Sequence, residues 1–320
     1  MKPIGRVLIV IAAVAAAACG VRQLDTFERD AKARAEAARP QPATAEMFRA
    51  TICASSPCVL VQAGGLAFLV GAGEGAAEGL MSRGLMRADL DGVLLADFEL
   101  SSVEGLPGLR KASLDAGRAE PLAVFGPDGA LPAIDGANLM LTGTSSDSAR
   151  LTVGIEGEDE GLAGKVVFDS GVVTIRAFAA SEGVSRIYRI DFAGKSLLIA
   201  GCAAKPDNIV GAARGAKQAA AIIAASSAKL LEIERRAART AGAPLREGEC
   251  MSADDAIKVV LEARLSAGLL APLVPAASDS PSRQAWKEAA TFPEGLMMAV
   301  AAPGTVLDLT SEKPAIALPK

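Results

Sequence analysis

Asp97 and Glu99 stand two residues apart. With Cys202, and Cys250 as a fourth donor, they make a carboxylate and thiolate set of kinds that zinc and harder cations accept in part. On a strand the two acids would share a face; in a loop they need not. The plainer reading makes them solvated acids at a loop end, and the cysteines packing groups or disulfide partners. A second pattern is GAGEGA, Gly71–Ala76, which follows the apolar run LAFLV. It fits the dinucleotide fingerprint Gly-x-Gly-x-x-Ala, in which glycines let a pyrophosphate approach a helix N-terminus, and it reads equally as a tight turn. Ser226–Lys229, SSAK, has the Ser-x-x-Lys spacing in which a lysine activates a serine nucleophile, but no Lys-Thr-Gly follows and the segment reads as part of an Ala-rich helix. AGKS at Ala193–Ser196 has Arg189 where a phosphate loop needs its first glycine, so it reads as a hairpin turn.

One absence governs all of these: the 320 residues contain no histidine. That removes Ser-His-Asp and Cys-His nucleophile systems, histidine general bases and every His-containing zinc site. The balance of 33 basic against 37 acidic residues gives no broad cationic surface for a phosphate backbone, so nucleic acid is not an expected partner. Trp286, Tyr188 and the nine phenylalanines are too sparse for a stacking surface and read as core. At 51% hydrophobic and 22% charged, the chain is long enough to build a core without metals or disulfides.

The elements that must position these groups begin after an export or anchoring segment at 1–19. Lys2 and Arg6 precede Val7–Cys19, VLIVIAAVAAAAC, an uncharged run of signal-peptide length that is short for a membrane span. Ala16–Gly20, AAACG, resembles a bacterial lipobox, with Cys19 as the lipidated residue and Ala16 where a branched residue is usual. A lipoprotein or an uncleaved anchor would tether the rest to a membrane on the exported, periplasmic side of a bacterial cell envelope. Residues 20–46 read as a helical stalk broken at Pro40 and Pro42, and 47–320 as one domain.

Within that domain, short apolar runs bounded by Gly and Pro alternate with helical patterns, which reads as α/β layers. Strands are expected across Arg150–Glu156, Lys165–Ala179 and Ser185–Ile199, and helices over Asp207–Ala241 and Ser252–Ala267, the latter with Ser252 as cap and Asp254 and Asp255 in its first turn. An oxidising envelope would permit disulfides among Cys53, Cys58, Cys202 and Cys250, and the three complete pairings cannot be ranked from sequence. Cys53 and Cys58 are close enough to pair; buried free thiols are the competing reading.

In order along the chain, five segments resemble the metallo-β-lactamase superfamily, particularly its ribonuclease Z-like and arylsulfatase-like hydrolases. Cys58–Leu80 resembles the opening strands and the turn "Leu-Val-Asp-Ala-Gly-x-Gly", and Leu90–Leu109 the stretch "Leu-Asp-x-Val-x-Leu-Thr-His-x-His-x-Asp-His-x-x-Gly-Leu-Pro" with a one-residue gap. Gly117–Gly129 is similar to "Gly-Arg-x-x-Pro-Leu-x-Val-x-Gly-Pro". Ile187–Ala204 is similar to "Tyr-Arg-x-Asp-x-x-Gly-Lys-Ser-x-x-x-Ser-Gly-Asp-Thr", and Leu269–Ala276 to "Leu-Thr-His-x-x-Pro". The resemblance implies a four-layer αββα sandwich with its site at one edge of the paired sheets. It also implies where a zinc site would lie: the family's His-x-His-x-Asp-His falls on Asp97, Glu99, Ser101 and Ser102, its next metal histidine near Ser181, its bridging aspartate on Cys202 and its last histidine on Pro272. The supporting aspartate of the second strand becomes Gly71, which makes GAGEGA a turn that lost its acid.

Zinc is the cofactor expected for the family, but its ligands are absent here, so no cofactor is expected. The resulting expectation is a membrane-tethered pseudoenzyme that binds or scaffolds, with an envelope partner or a small polar ligand in the remnant of the site and homodimerisation compatible with family habit. The competing expectations are a hydrolase of phosphate, sulfate or other esters with a remodelled Asp97, Glu99 and Cys202 metal site, and a nucleotide-binding protein built on GAGEGA.

Overall fold

The computed structural model describes residues 29, 43–86, 89–127, 129–142, 151–153, 164–181, 185–241, 250–277 and 279–319. The Val7–Cys19 segment, Cys19 and nearly all of the expected stalk lie outside them. Among the described residues no helix is long and apolar enough to cross a membrane. The first half runs β1 (Phe48–Ile52), β2 (Val59–Ala63), β3 (Leu66–Val70), α1 (Ala76–Ser82), β4 (Gly92–Leu94), α2 (Leu100–Val103), α3 (Leu106–Asp115), β5 (Leu122–Phe125), α4 (Ala130–Thr142) and β6 (Leu151–Val153). The second runs β7 (Lys165–Asp169), β8 (Val173–Ala179), β9 (Arg186–Phe192), β10 (Lys195–Ala200), α5 (Pro206–Ala212), β11 (Ala219–Ser226), α6 (Ala228–Ala241), α7 (Ala253–Glu262), β12 (Ala267–Val274), α8 (Ser280–Ala289) and β13 (Met298–Val300). Two last strands, β14 (Val306–Asp308) and β15 (Ala315–Ala317), return to the first sheet.

Two mixed sheets result: an eight-stranded one ordered β15-β14-β1-β2-β3-β4-β5-β6, and a seven-stranded one ordered β13-β12-β11-β10-β9-β8-β7. Alternation along each strand sends its side chains to two different cores. Val59, Val61, Phe68 and Val70 meet Leu197, Ile199, Ile222 and Leu269 between the sheets. Their neighbours Leu60 and Leu69 face Leu80, Leu106 and Leu109 of the first sheet's helices. Leu198, Ile223 and Leu270 face Ile209, Val260 and Trp286 of the second sheet's helices. Three apolar layers between four layers of structure make the expected αββα sandwich.

Ala219–Ser226 departs from the sequence expectation, which placed it inside one helix from Asp207 to Ala241. It is strand β11, paired in parallel with β10 on one side and β12 on the other, and Ala219 through Ala225 are all buried. A central parallel strand covered on both faces reads as a continuous apolar run, and alanine's helix propensity is overridden by that burial. The Ser-x-x-Lys pattern is divided as a consequence: Ser226 ends β11, where its hydroxyl donates to the Cys250 carbonyl at 2.7 Å, and Lys229 lies in α6. The Ser252 cap is as expected, its hydroxyl oxygen accepting from the Asp255 amide at 3.1 Å. AGKS is the expected hairpin turn between β9 and β10, with Ala193 and Gly194 at φ of 50° and 75°.

Candidate functional site

The edge where the parallel strands of both sheets end is the place where an α/β layer structure leaves a crevice. β3 pairs β4 in parallel, β10 pairs β11, and β11 pairs β12, so the chain segments leaving β3, β4 and β10 converge there. They enclose a cavity of about 60 Å³. Two bonds fasten the sheets beneath it: the Tyr188 hydroxyl donates to the Leu95 carbonyl at 2.8 Å, and the Arg186 amide to the Ala96 carbonyl at 2.7 Å. Its apolar walls, Val59, Val70, Ile199 and Ala271, are the ends of the inter-sheet core.

Asp97, Glu99, Ser101, Ser102, Cys202 and Pro272 all line this cavity; Ser181, half-buried after β8, does not. The two acids leave β4 in a local turn in which the Glu99 amide donates to Asp97 Oδ1 at 3.1 Å. The strand geometry that would have put them on one face does not apply. Asp97 reaches across to the second sheet, its Oδ2 lying 3.6 Å from where a methyl group on Gly201 would stand. Ser102 is 5% exposed on α2, and its carbonyl accepts from the Ala72 amide at 2.9 Å.

Cys202 is bonded to Cys250, with Cα atoms 4.1 Å apart, which ties the loop after β10 to the segment beside the end of β11. Cys53 and Cys58 form a second disulfide, Cα atoms 5.3 Å apart, closing the turn that carries Pro57 to the cavity wall. The 53–58 pair was one of the sequence alternatives; the 202–250 pair was not singled out, because nothing in a separation of 48 residues favours it.

The first three amides of the glycine turn are engaged by the protein itself. The amides of Gly71, Ala72 and Gly73 donate to the carbonyls of Leu94, Ser102 and Pro57 at 2.8, 2.9 and 3.1 Å. A pyrophosphate needs such amides free, and these three are not. Gly71 has φ +78° and packs against Pro57, whose carbonyl oxygen would lie 2.6 Å from a Cβ at this position. The place of the family's supporting aspartate is therefore closed by backbone.

These residues do not fit a zinc centre. Zinc takes thiolate, imidazole and carboxylate donors, usually three or four from the protein. A disulfide sulfur is not a thiolate, a proline ring offers no donor atom, and the two acids leave from one loop. Among the described residues no three His, Cys, Asp or Glu side chains are grouped to hold an ion.

No sequence-family description and no curated protein sequence matches the chain. Solved structures do. The metallo-β-lactamase fold protein YhfI from Bacillus subtilis aligns with TM-score 0.57 at 15% identity, over 82% of this chain and 98% of that one. The short form of human tRNase Z aligns with TM-score 0.54 at 17% identity, over 71% and 93%. A diphosphatase from the PhnP family aligns with TM-score 0.54 at 12% identity, over 79% and 83%. At such identities the likeness establishes the fold.

Proposed function

We propose that this chain, which carries the metallo-β-lactamase fold, is a membrane-tethered envelope protein whose domain binds or scaffolds and does not perform metal-assisted hydrolysis. The observation that carries the reading is the cavity at the strand ends. In this fold the sequence correspondence puts the zinc ligands there, and the ligand positions that line it hold two acids, two serines, a disulfide-bonded cysteine and a proline. Metal-assisted hydrolysis needs an ion held firmly enough to lower the pKa of bound water, and this lining has no donor set for that. A remodelled hydrolase using Asp97, Glu99 and Cys202 would need the Cys202 sulfur free, and it is spent on Cys250.

The tether rests on Lys2, Arg6 and the uncharged run to Cys19. The two disulfides support an exported domain, because such bonds persist in oxidising compartments and are rare in the cytosol. An envelope partner or a small ligand would then be the object of binding, and nucleic acid would not.

Elemental mass spectrometry on the full chain, purified in detergent after exposure to zinc, manganese or iron, tests the reading. Negligible retained metal under every condition is the expected result; tightly held metal that is lost in Glu99→Gln would overturn it. Incorporation of labelled palmitate in the wild type and its loss in Cys19→Ser tests the tether.

A further inference from the structure

The lining of the cavity points to the chemistry of its occupant, an inference that rests on the site working without a metal. Among the described lining residues there are two carboxylates, Asp97 and Glu99, and no lysine or arginine. Neither acid has an ion-pair partner among the described residues. Asp97 Oδ1 is occupied by the Glu99 amide, while Oδ2 lies toward Gly201 on the opposite side of the crevice. Independently of the acids, Ser102 lines the same cavity at 5% exposure, and its hydroxyl has no hydrogen-bond partner among the described residues. Among the described residues the enclosed polar side-chain atoms without a partner are Arg110 Nε and Nη2, so the Ser102 hydroxyl opens onto the cavity and is free to bond what fills it.

Four classes of occupant can be compared. An anion meets only like charge. A divalent cation requires six or more oxygens or a retained water shell, and the walls at Val70, Ile199, Ala271 and Pro272 offer neither oxygen side chains nor a polar surface for that shell. A neutral apolar molecule suits the walls and leaves both carboxylates and the serine unanswered. An organic ammonium answers all of them: its three N–H groups match three acceptors, and its carbon chain matches the walls. A cavity of about 60 Å³ holds about four to six water-sized groups, so about four carbons of a tail lie within it.

We infer that the pocket binds a small primary ammonium compound with a short alkyl tail. The head is held by Asp97 Oδ2, the Glu99 carboxylate and the Ser102 hydroxyl, and the tail lies against the ends of the inter-sheet core. Glu99 is exposed, Asp97 half-buried and Ser102 buried.

The test uses saturation-transfer NMR on the full chain in detergent at low salt, with n-butylammonium, n-butanol and butyrate as probes. These share a tail and differ in the charge of the head. Butylammonium should bind about tenfold more tightly than butanol, and butyrate should not bind, since hydrogen bonds to charged groups are stronger than those between neutral ones and a carboxylate head would meet like charge. Glu99→Gln, at an exposed position and close to isosteric, should weaken butylammonium about fivefold. Ser102→Ala should weaken it less and leave the preference over butanol in place. Equal affinity for butylammonium and butanol, no amine binding at all, or an unchanged affinity in Glu99→Gln would overturn the inference. Metal analysis of the same preparations separates the two readings: no metal and no amine preference leaves the non-metal reading standing without this ligand, whereas retained metal removes both.

Discussion

Reduction of the Cys202–Cys250 bond should cost more stability than reduction of Cys53–Cys58, and the difference can be worked from the loops they close. A cross-link restricts the unfolded chain by an entropy that grows with the logarithm of loop length. For a separation of 48 residues this amounts to about 4 kcal/mol at 25 °C, and for a separation of 5 to about 2 kcal/mol. Mutation would blur the comparison, because Cys53 and Cys58 are each 1% exposed and their truncation would also leave a cavity in the helix-side core, whereas Cys202 is only half-buried. Reduction keeps all sulfur atoms in place. The assay therefore uses two variants of the full chain, Cys53→Ala/Cys58→Ala and Cys202→Ala/Cys250→Ala, each unfolded by urea with and without a phosphine reductant. The single tryptophan, Trp286, is fully buried against the second sheet and donates to the Pro275 carbonyl at 2.8 Å, so its fluorescence reports the native packing. The variant that retains 202–250 should lose about twice as much stability on reduction as the variant that retains 53–58. Equal losses, or the reverse order, would refute the loop argument. Alkylation of Cys202 or Cys250 in unreduced, denatured wild type would refute their pairing and restore Cys202 as a metal donor, and alkylation of Cys53 or Cys58 would refute the other pair.

Gly71→Ala should destabilise the domain by about 2–4 kcal/mol, because a left-handed backbone costs a side chain about 1–2 kcal/mol and the new methyl would also press on the Pro57 carbonyl. Gly171→Ala, at φ +80° with nothing within 4 Å, should cost only the backbone part, so urea midpoints of the two variants separate strain from clash. A third expectation concerns acid. Burial pushes the Asp308 carboxyl up, but hydrogen bonds from Thr310 and the Arg49 guanidinium, whose Nη2 donates at 2.7 Å, outweigh it and hold the group below the ordinary aspartate range. A carboxyl depressed in the folded state stabilises above its unfolded pKa of about 3.9, and that stability is lost as pH falls through the folded value. Asp308→Asn should therefore lose less stability than wild type between about pH 5 and pH 2, measured by thermal unfolding; parallel pH profiles would discount the Arg49–Asp308 link between β1 and β14.

Much of the architecture was legible because the strands carry their own signatures. VLVQA and LAFLV are short apolar runs bounded by Pro and by Gly-Gly, and Ser252 followed by two aspartates announces a helix start. β11 was not legible, since seven of its eight residues are Ala or Ile, and composition alone cannot tell a strand covered on both faces from a buried helix. The positions that converge on the cavity were found through spacing shared with a known family. Local chemistry did not single them out: Pro272 and Ser102 have no property that marks them as pocket residues, and they come together only because β12 and α2 end at the same edge. The same spacing placed a ligand position near Ser181, where the structure has a half-buried residue outside the lining.

The form of the cavity does not rest on metal ligands. Val59, Val70, Ile199 and Ala271 belong to the inter-sheet core, and they line the crevice because the two sheets part where their strands end. A metal centre in such a place is held by loops, and the sheets beneath are held by burial, so the two can change separately. Replacing imidazoles by serine and proline at this edge removes no layer of the core. What the loops supply is closure, through the Pro57 turn locked by Cys53–Cys58, the glycine turn bonded to Leu94 and Ser102, and the loop after β10 joined to Cys250. These fastenings hold the two carboxylates and the buried hydroxyl at fixed places around the opening. A binding role for the site therefore asks nothing of the fold that the fold does not already provide, whereas a zinc centre of the family's kind at this edge would require further donors, a free Cys202 sulfur and space at Gly71 that Pro57 occupies.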